Sequence, residues 1–322
     1  MPDVTKAQTT DAAAVDAIAP PAVDAPGKES TQKSEKPRSL WGDAWYDLRH
    51  RPMFWISSVL LVMLLVIAAF PGWFTSVDPR DGDLVHHYLG KPNLGHFFQP
   101  DWFGYDQQGR SIYSRVIHGT RASILVGVCV TAVVTLLGGL LGMLAGYFGG
   151  WVDSVISRIV DIFFGLPFLL GTMVVLNAFT ERKVYVVILA LAFLGWTSIA
   201  RVMRSSVITA KQADYVTAAR ALGAGTTRIL FRHVMPNAVA PTIVVATIAL
   251  GGYISAEATL SFLGLGLSDP TISWGIDISE GSKVIRDNPH TLLFPAGMLS
   301  LTVFAFIMLG DAVRDALDPK LR

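Results

Sequence analysis

ADYVTAARALGAGTTRILFRHVMPN, residues 213–237, lies between two long apolar runs and interrupts them with a short, basic, glycine-broken segment. The runs on either side, about residues 184–200 and about residues 238–262, are each long enough to cross a bilayer core. Such a crossing takes about 20 mostly apolar residues as helix. The same test, carried outward, finds four more runs, at about residues 54–74, 122–147, 155–178 and 292–309. In hydrocarbon every backbone amide must be paired within the protein, so all of these segments are expected to be helical. The expected fold class is all-α: a polytopic membrane protein with about six transmembrane helices.

Composition agrees. Only 16% of the 322 residues are charged and 52% are hydrophobic, whereas soluble domains carry about 25% charged residues. The net charge of +1 leaves no electrostatic footprint for nucleic acid. Cys129 is the single cysteine and sits in an apolar run, so neither an internal disulfide nor a thiolate metal cluster is expected, and the side chain reads as packing. Residues 1–39 mix Ala, Pro, Asp, Lys and Ser with few large apolar side chains. They cannot bury enough surface to offset the entropy of ordering, and are expected to form a disordered tail. A cleaved leader is not expected, because the first apolar run begins near Phe54 and is too long for one.

Lys and Arg in short loops set orientation. Arg201, Arg204, Lys211, Arg220, Arg228 and Arg232 cluster between the fourth and fifth spans. Lys33, Lys36, Arg38, Arg49 and Arg51 precede the first span, and Arg314, Lys320 and Arg322 follow the last. With an even number of spans these regions share one side, expected to be the cytoplasm. Residues 75–118 then form an extracytoplasmic segment. Residues 119–314 form a core of five spans with a cytoplasmic loop at 201–237, and residues 315–322 form a cytoplasmic tail. LWGDAWYDLRHRP, before the first span, can present Trp41, Trp45, Tyr46 and Leu48 on one face. That pattern fits an interfacial helix over residues 40–53.

Motifs for chemistry on this chain are missing. There is no G-x-x-x-x-G-K-[ST], and GAGTTR from Gly223 lacks both the Lys and the last Gly of a dinucleotide fingerprint. No H-E-x-x-H occurs, and the neighbours His86 and His87 would not share a helix or strand face for one metal. The spans hold no nucleophile–base pair, so no enzyme is expected. Gly138, Gly142 and Gly146 recur every four residues and would let another helix approach closely. Arg158 and Asp161 are three apart and could pair on one helix face. Glu257, near the outer end of the fifth span, either lines a pathway or hydrogen-bonds to the glycine-rich outer loop that follows. A proton-driven carrier would need paired broken helices and midplane charges, and the sequence offers one acid and no clear inverted repeat.

In this setting the opening stretch resembles the EAA loop of ABC-importer permeases: Thr217, Ala218, Ala219, then Gly223, then a segment ending at Pro236. DYVTAARALGAG and RHVMPN are most similar to the dipeptide/oligopeptide/nickel branch, as are residues 102–127, EATLSFLGLGLSDPTISWG at 257–275, and LGDAVRDALDPKLR at 309–322. Two positions depart from that branch: Thr217 stands for the motif's Glu, and Ile307 stands where Asn is frequent. The resemblance implies a type I ABC-importer permease fold in a bacterial inner membrane, with no cofactor in this chain. It implies a second homologous permease, two cytoplasmic subunits that bind ATP, an extracytoplasmic solute-binding protein, contact with membrane lipid, and a peptide substrate. Nickel or glutathione is the alternative cargo, and a proton-coupled carrier built on Glu257 is the rival outside the class. It implies ATPase coupling through Asp214, Tyr215, Thr217, Ala218, Ala219, Arg220, Leu222, Gly223, Arg228, Arg232 and Pro236. Gly223 would end a first short helix, TTRILFRHVM would form a second, and Pro236 would start the fifth span.

Overall fold

The structure, a computed structural model, describes residues 40–317. The expected tail at 1–39 and the last residues of the expected tail at 315–322 lie outside the described residues. Every regular element among the described residues is helical. Five helices are long and apolar enough to cross a membrane, and a bent helix pair makes a sixth crossing if it counts as one span.

The short helix α1 (Leu40–Arg49) leads into α2 (Pro52–Ala69), which starts with proline in its first turn, where a missing N–H costs nothing. Arg51 at this junction pairs with Asp315 at 2.5 Å and ties the entry of the first span to the end of the last. α2 stops at Ala69, earlier than residue 74, because Pro71 cannot continue it and opens a 3-10 turn instead. An irregular segment then runs to Ser111, whose hydroxyl accepts from Ser114 N–H and starts α3 (Ile112–Phe148). At 37 residues α3 is about 55 Å long, so it spans a bilayer core and extends beyond it. Its first turns, Tyr113 to Ile117, are buried, and Tyr113 and Ile117 pack with Phe74, Trp102 and Phe103 of the preceding irregular segment.

α3 is the spine, and its largest partner is α6 (Val184–Lys211). A Cβ on Gly138 would lie 2.4 Å from Trp196 O, one on Gly142 2.3 Å from Ala200 O, and one on Gly146 2.7 Å from Arg204 O. Two four-residue ladders thus face each other, and the backbones approach more closely than any side chain would allow. Val130, Val134, Leu191, Trp196 and Ile199 pack in one core around this seam.

The third span is not one straight helix. α4 (Gly150–Phe164) and α5 (Phe168–Asn177) meet at 83° across Gly165, Leu166 and Pro167. Hydropathy runs through the break, but Pro167 has no N–H and keeps the preceding residue out of helical conformation. Asp161 does not pair with Arg158 on its own helix. It meets Arg201 of α6 at 2.9 Å, while Asp153 binds Arg204 through both carboxylate oxygens, the Nη2–Oδ2 contact at 2.7 Å. Both ion pairs fasten α4 to α6.

The last spans are α9 (Met235–Phe262) and α11 (His290–Leu317), separated by the short helix α10 (Trp274–Ser282). Both long helices pack on one another, α9 also on α3 and α6, and α11 on α2. α11 continues to Leu317, into the stretch expected to be tail.

Candidate functional site

The segment between α6 and α9 folds into α7 (Asp214–Ala221), a tight turn, α8 (Thr226–Ile229) and one π turn at Leu230–Val234. Asp214 in the first turn of α7 and Arg220 in the last both complement the helix dipole. The end of α7 is sharply made. Ala224 N–H reaches Ala219 O and Gly223 N–H reaches Arg220 O, both at 3.0 Å, with Gly223 at φ +80°. This is the glycine-closed helix end that satisfies the last carbonyls and needs a left-handed residue.

The second short helix is not separate from the fifth span. Thr226–Phe262 is one continuous 37-residue helix, so Pro236 lies inside it and does not start it. The π turn explains how. Pro236 has no N–H to give Arg232 O, and its ring would strike that carbonyl in a regular helix. Widening the preceding turn, with Met235 N–H bonded back to Leu230 O, moves the carbonyl away.

One buried side chain, Val216, holds α7 to the bundle. It enters an apolar cluster with Met143, Val207, Ile229, Leu230 and Val234, drawn from α3, α6 and the start of the long fifth helix. Polar ties reinforce the same place. Lys211 Nζ donates to Tyr147 O at 2.5 Å, and the Tyr147 hydroxyl donates to Thr226 O at 3.2 Å. The element is therefore fixed to the ends of three spans.

Its other face is bare. Asp214, Tyr215, Thr217, Ala218, Arg220, Leu222, Gly223, Arg228, Arg232 and Pro236 are exposed, and Ala219 is half-buried. Leu222 is 89% exposed at the tip of the turn, an unusual place for a large apolar side chain on a well-anchored helix. Arg220, Arg228 and Arg232 make no ion pair among the described residues. Phe231, 53% exposed beside Arg232, belongs to this face and was not singled out in the sequence, where it reads as part of an apolar helix.

Glu257 lies elsewhere. It is fully buried, accepts from Ser261 Oγ at 2.8 Å and faces Ser123 Oγ of α3 at 3.5 Å. Ser261 Oγ in turn accepts from Leu267 N–H and Ser123 Oγ from Trp274 N–H. The carboxyl thus organises the loop between α9 and α10, the hydrogen-bonding alternative of the sequence analysis.

The end of the bundle away from α7 holds a cluster that the sequence does not announce. Arg115 meets Asp277 through Nε at 2.8 Å and also through Nη2. Arg110 bonds Asp106 and Glu280, both at 2.6 Å. These residues come from the outer segment, from α3 and from α10, about 170 positions apart in the chain. Burial pushes the Asp277 carboxyl up, to about 6, while Arg115 pulls it down. The cluster welds the irregular segment before α3 to α3 and α10.

A family model described as "Binding-protein-dependent transport system inner membrane component" matches residues 138–322, and one described as "N-terminal TM domain of oligopeptide transport permease C" matches residues 39–93. The chain is 36% identical over 289 residues to the oligopeptide transport system permease protein OppC of Bacillus subtilis, covering 90% of this chain and 92% of that one. It is 37% identical over 290 residues to the glutathione transport system permease protein GsiD of Shigella flexneri, covering 90% and 94%. A solved structure described as an amino acid ABC transporter with histidines aligns with TM-score 0.49 and 15% identity, over 61% of this chain and 91% of that one.

Proposed function

Because the chain belongs to the binding-protein-dependent transport system inner membrane components, the permeases of ABC importers, we propose that it forms half of a translocation pathway for short peptides and takes its driving force through residues 213–237. Its family makes it a transporter subunit and not an enzyme, and in this class ATP is bound by partner subunits. A second permease supplies the other half of the path, two cytoplasmic ATPases each grip one coupling helix, and an extracytoplasmic binding protein delivers the cargo. The basic residues around α7 and at Arg314 support placing both ends of the chain in the cytoplasm of a bacterial inner membrane.

One observation carries the coupling assignment: α7 is locked to three spans on its inner face while its outer face presents Ala218, Thr217 and a nearly naked Leu222. Small residues let a groove close on a helix, and a protruding apolar side chain in a pocket is the usual anchor of such a contact. ATP-driven closure of the ATPases then moves α7, and through the Val216 cluster it moves α3, α6 and the fifth span together, switching the path between outward and inward access.

Cargo follows from the relatives. One is named for oligopeptides and the other for glutathione, itself a tripeptide, so short peptides cover both. The test is reconstitution of the complete transporter with Leu222→Asp or Ala218→Glu in this chain. ATP-dependent peptide uptake is expected to fall by at least about tenfold, as loss of an interface anchor does, with the chain still folded and membrane-inserted. Uptake at the unsubstituted rate in both variants would refute the coupling role.

A further inference from the structure

Where α2 ends and α6 begins, the bundle surface is hollowed into an open pocket of about 760 Å³. Its wall comes from residues 72–80 of the irregular segment, one face of α3, Val184 at the head of α6 and residues 270–272 of the loop before α10. His118, Arg121, Ala122 and Leu125 share that face of α3, three or four residues apart. The level is that of a membrane border. Apolar α2 stops at Ala69, and Phe70 and Trp73 stack at 4.4 Å on either side of Gly72, with Trp73 exposed. Aromatic rings collect at that depth.

Arg121 is the side chain that lacks a partner. It is exposed and, unlike Arg110 and Arg115 in the same part of the chain, makes no ion pair or hydrogen bond among the described residues. Arg80 lines the same pocket and is pinned, its guanidinium donating to Pro270 O at 3.0 Å. Asp78 is the one carboxylate in the wall, and it accepts the Arg80 N–H at 2.9 Å. His118 donates through Nδ1 to Ser114 O at 2.9 Å, which leaves Nε2 without a partner among the described residues. With the imidazole neutral, two guanidiniums stand against one carboxylate, and the wall carries a net +1.

One turn further along α3 the surface becomes apolar. Leu125, Val128 and Ala132 are exposed and continue the line of Arg121. From Arg121 to Ala132 this stripe is about 16 Å long, close to the depth of one leaflet's hydrocarbon, about 15 Å. A cation at the border with an apolar stripe below it is the complement of an amphipathic anion.

We propose that this pocket seats the headgroup phosphate of an anionic phospholipid, with Arg121 and Arg80 on the phosphate and an acyl chain along Leu125 and Val128. A guanidinium offers paired N–H donors that match phosphate oxygens. The net +1 is balanced by the single negative charge of a lipid such as phosphatidylglycerol. A zwitterionic headgroup brings its own ammonium and leaves one guanidinium uncompensated. The site goes beyond the transport reading and does not depend on the cargo.

The experiment uses the purified transporter, this chain with its partner subunits, in detergent. Phosphatidylglycerol and phosphatidylcholine with identical chains are added in competition, and retained lipid is counted by native mass spectrometry. The parent protein is expected to retain phosphatidylglycerol in preference. Arg121→Gln is expected to weaken that binding about tenfold, equivalent to about 1.4 kcal/mol. Arg121→Lys keeps the charge and should lose less. Arg121 is exposed, so neither change disturbs packing. Arg286→Gln removes an exposed charge outside the pocket and should change nothing. Glycerol 3-phosphate, a headgroup without chains, should not compete. No preference in the parent protein overturns the proposal, because the pocket is then covered by a partner subunit or empty. Equal losses in Arg121→Gln and Arg286→Gln overturn it as well, as does glycerol 3-phosphate competing as strongly as the lipid. Unchanged lipid retention in Arg121→Gln, with uptake lost for Ala-Ala-Ala but not for its C-terminal amide, would assign the pocket to the carboxylate of the cargo instead.

Discussion

The two ends of the molecule handle the same residue type in opposite ways. At the end proposed to face outward, the outer end, Arg110 and Arg115 are buried and spent on Asp106, Asp277 and Glu280. At the end proposed to face the cytoplasm, the inner end, Arg220, Arg228 and Arg232 are exposed and make no ion pair among the described residues. The outer charges hold the chain to itself, and the inner ones are available to another chain. The same contrast holds for apolar groups, with Trp274 fully buried outside and Leu222 almost fully exposed inside. Groups satisfied within the chain make one end rigid, and unsatisfied groups leave the other open to a partner, which is the difference the coupling proposal requires.

The harshest way to break the comparison is to unpair the outer end. Arg115→Ala leaves Asp277 buried beside Asp106 and Glu280 with its direct partner gone. Removing one member of a buried ion pair typically costs about 3–5 kcal/mol. The variant is expected to lose much of its thermal stability in detergent, followed as loss of the monodisperse peak on heating. Adding Asp277→Ala should restore part of it, since the stranded charge and not the missing contact is the main penalty. If Arg115→Ala melts with the parent chain, the outer cluster is not what holds the outer segment down.

A smaller break lies at the neck between the ends, where α3 meets α6. Gly142→Val puts a branched side chain where a Cβ would already lie 2.3 Å from the Ala200 carbonyl. The neighbour is backbone and cannot swing away, so the helices must separate, at about 1–3 kcal/mol for overpacking. The seam also joins the Val216 cluster to the core, so transport should fall more than the change in melting suggests. Parent-like melting and uptake would mean that the close approach is dispensable.

Much of this was legible in the sequence, and the parts that were not share a cause. Apolar run length located the five long apolar helices, and Thr217, Ala218, Ala219 and Gly223 marked the short helix α7 and its glycine-closed end, because both signals are local. The 83° corner was missed although Pro167 stood in plain view, since hydropathy averages over a proline and sees one apolar run. The same blindness made Pro236 look like a start, when the π turn at Leu230–Val234 carries the helix through it. The outer ion cluster and the pairing of Asp161 with Arg201 depend on which distant residues the packing brings together, and no spacing rule within one segment can supply that. Arg158 and Asp161 had the right spacing, but a partner on the neighbouring helix won.

The gentlest prediction concerns the one place where the inner end departs from its motif. Thr217→Glu restores the acid that the EAA pattern carries. Thr217 is exposed on the outer face of α7, clear of the Val216 cluster, and Glu is a better helix former than Thr. Surface changes of this kind stay within about 0.5 kcal/mol, so melting should not move. If the ATPase groove reads mainly the small face and Leu222, coupled uptake should also stay within about twofold, as for a rim charge with little weight in affinity. If the partner has instead lost the basic group that a Glu would meet, the new acid can only be tolerated; if it has kept one, uptake or ATPase assembly should rise and fall with salt. A large loss of uptake with unchanged melting would mean that the groove has been rebuilt around a hydroxyl at this position. In that case the inner end owes its specificity to Thr217 as much as to the naked leucine beside it.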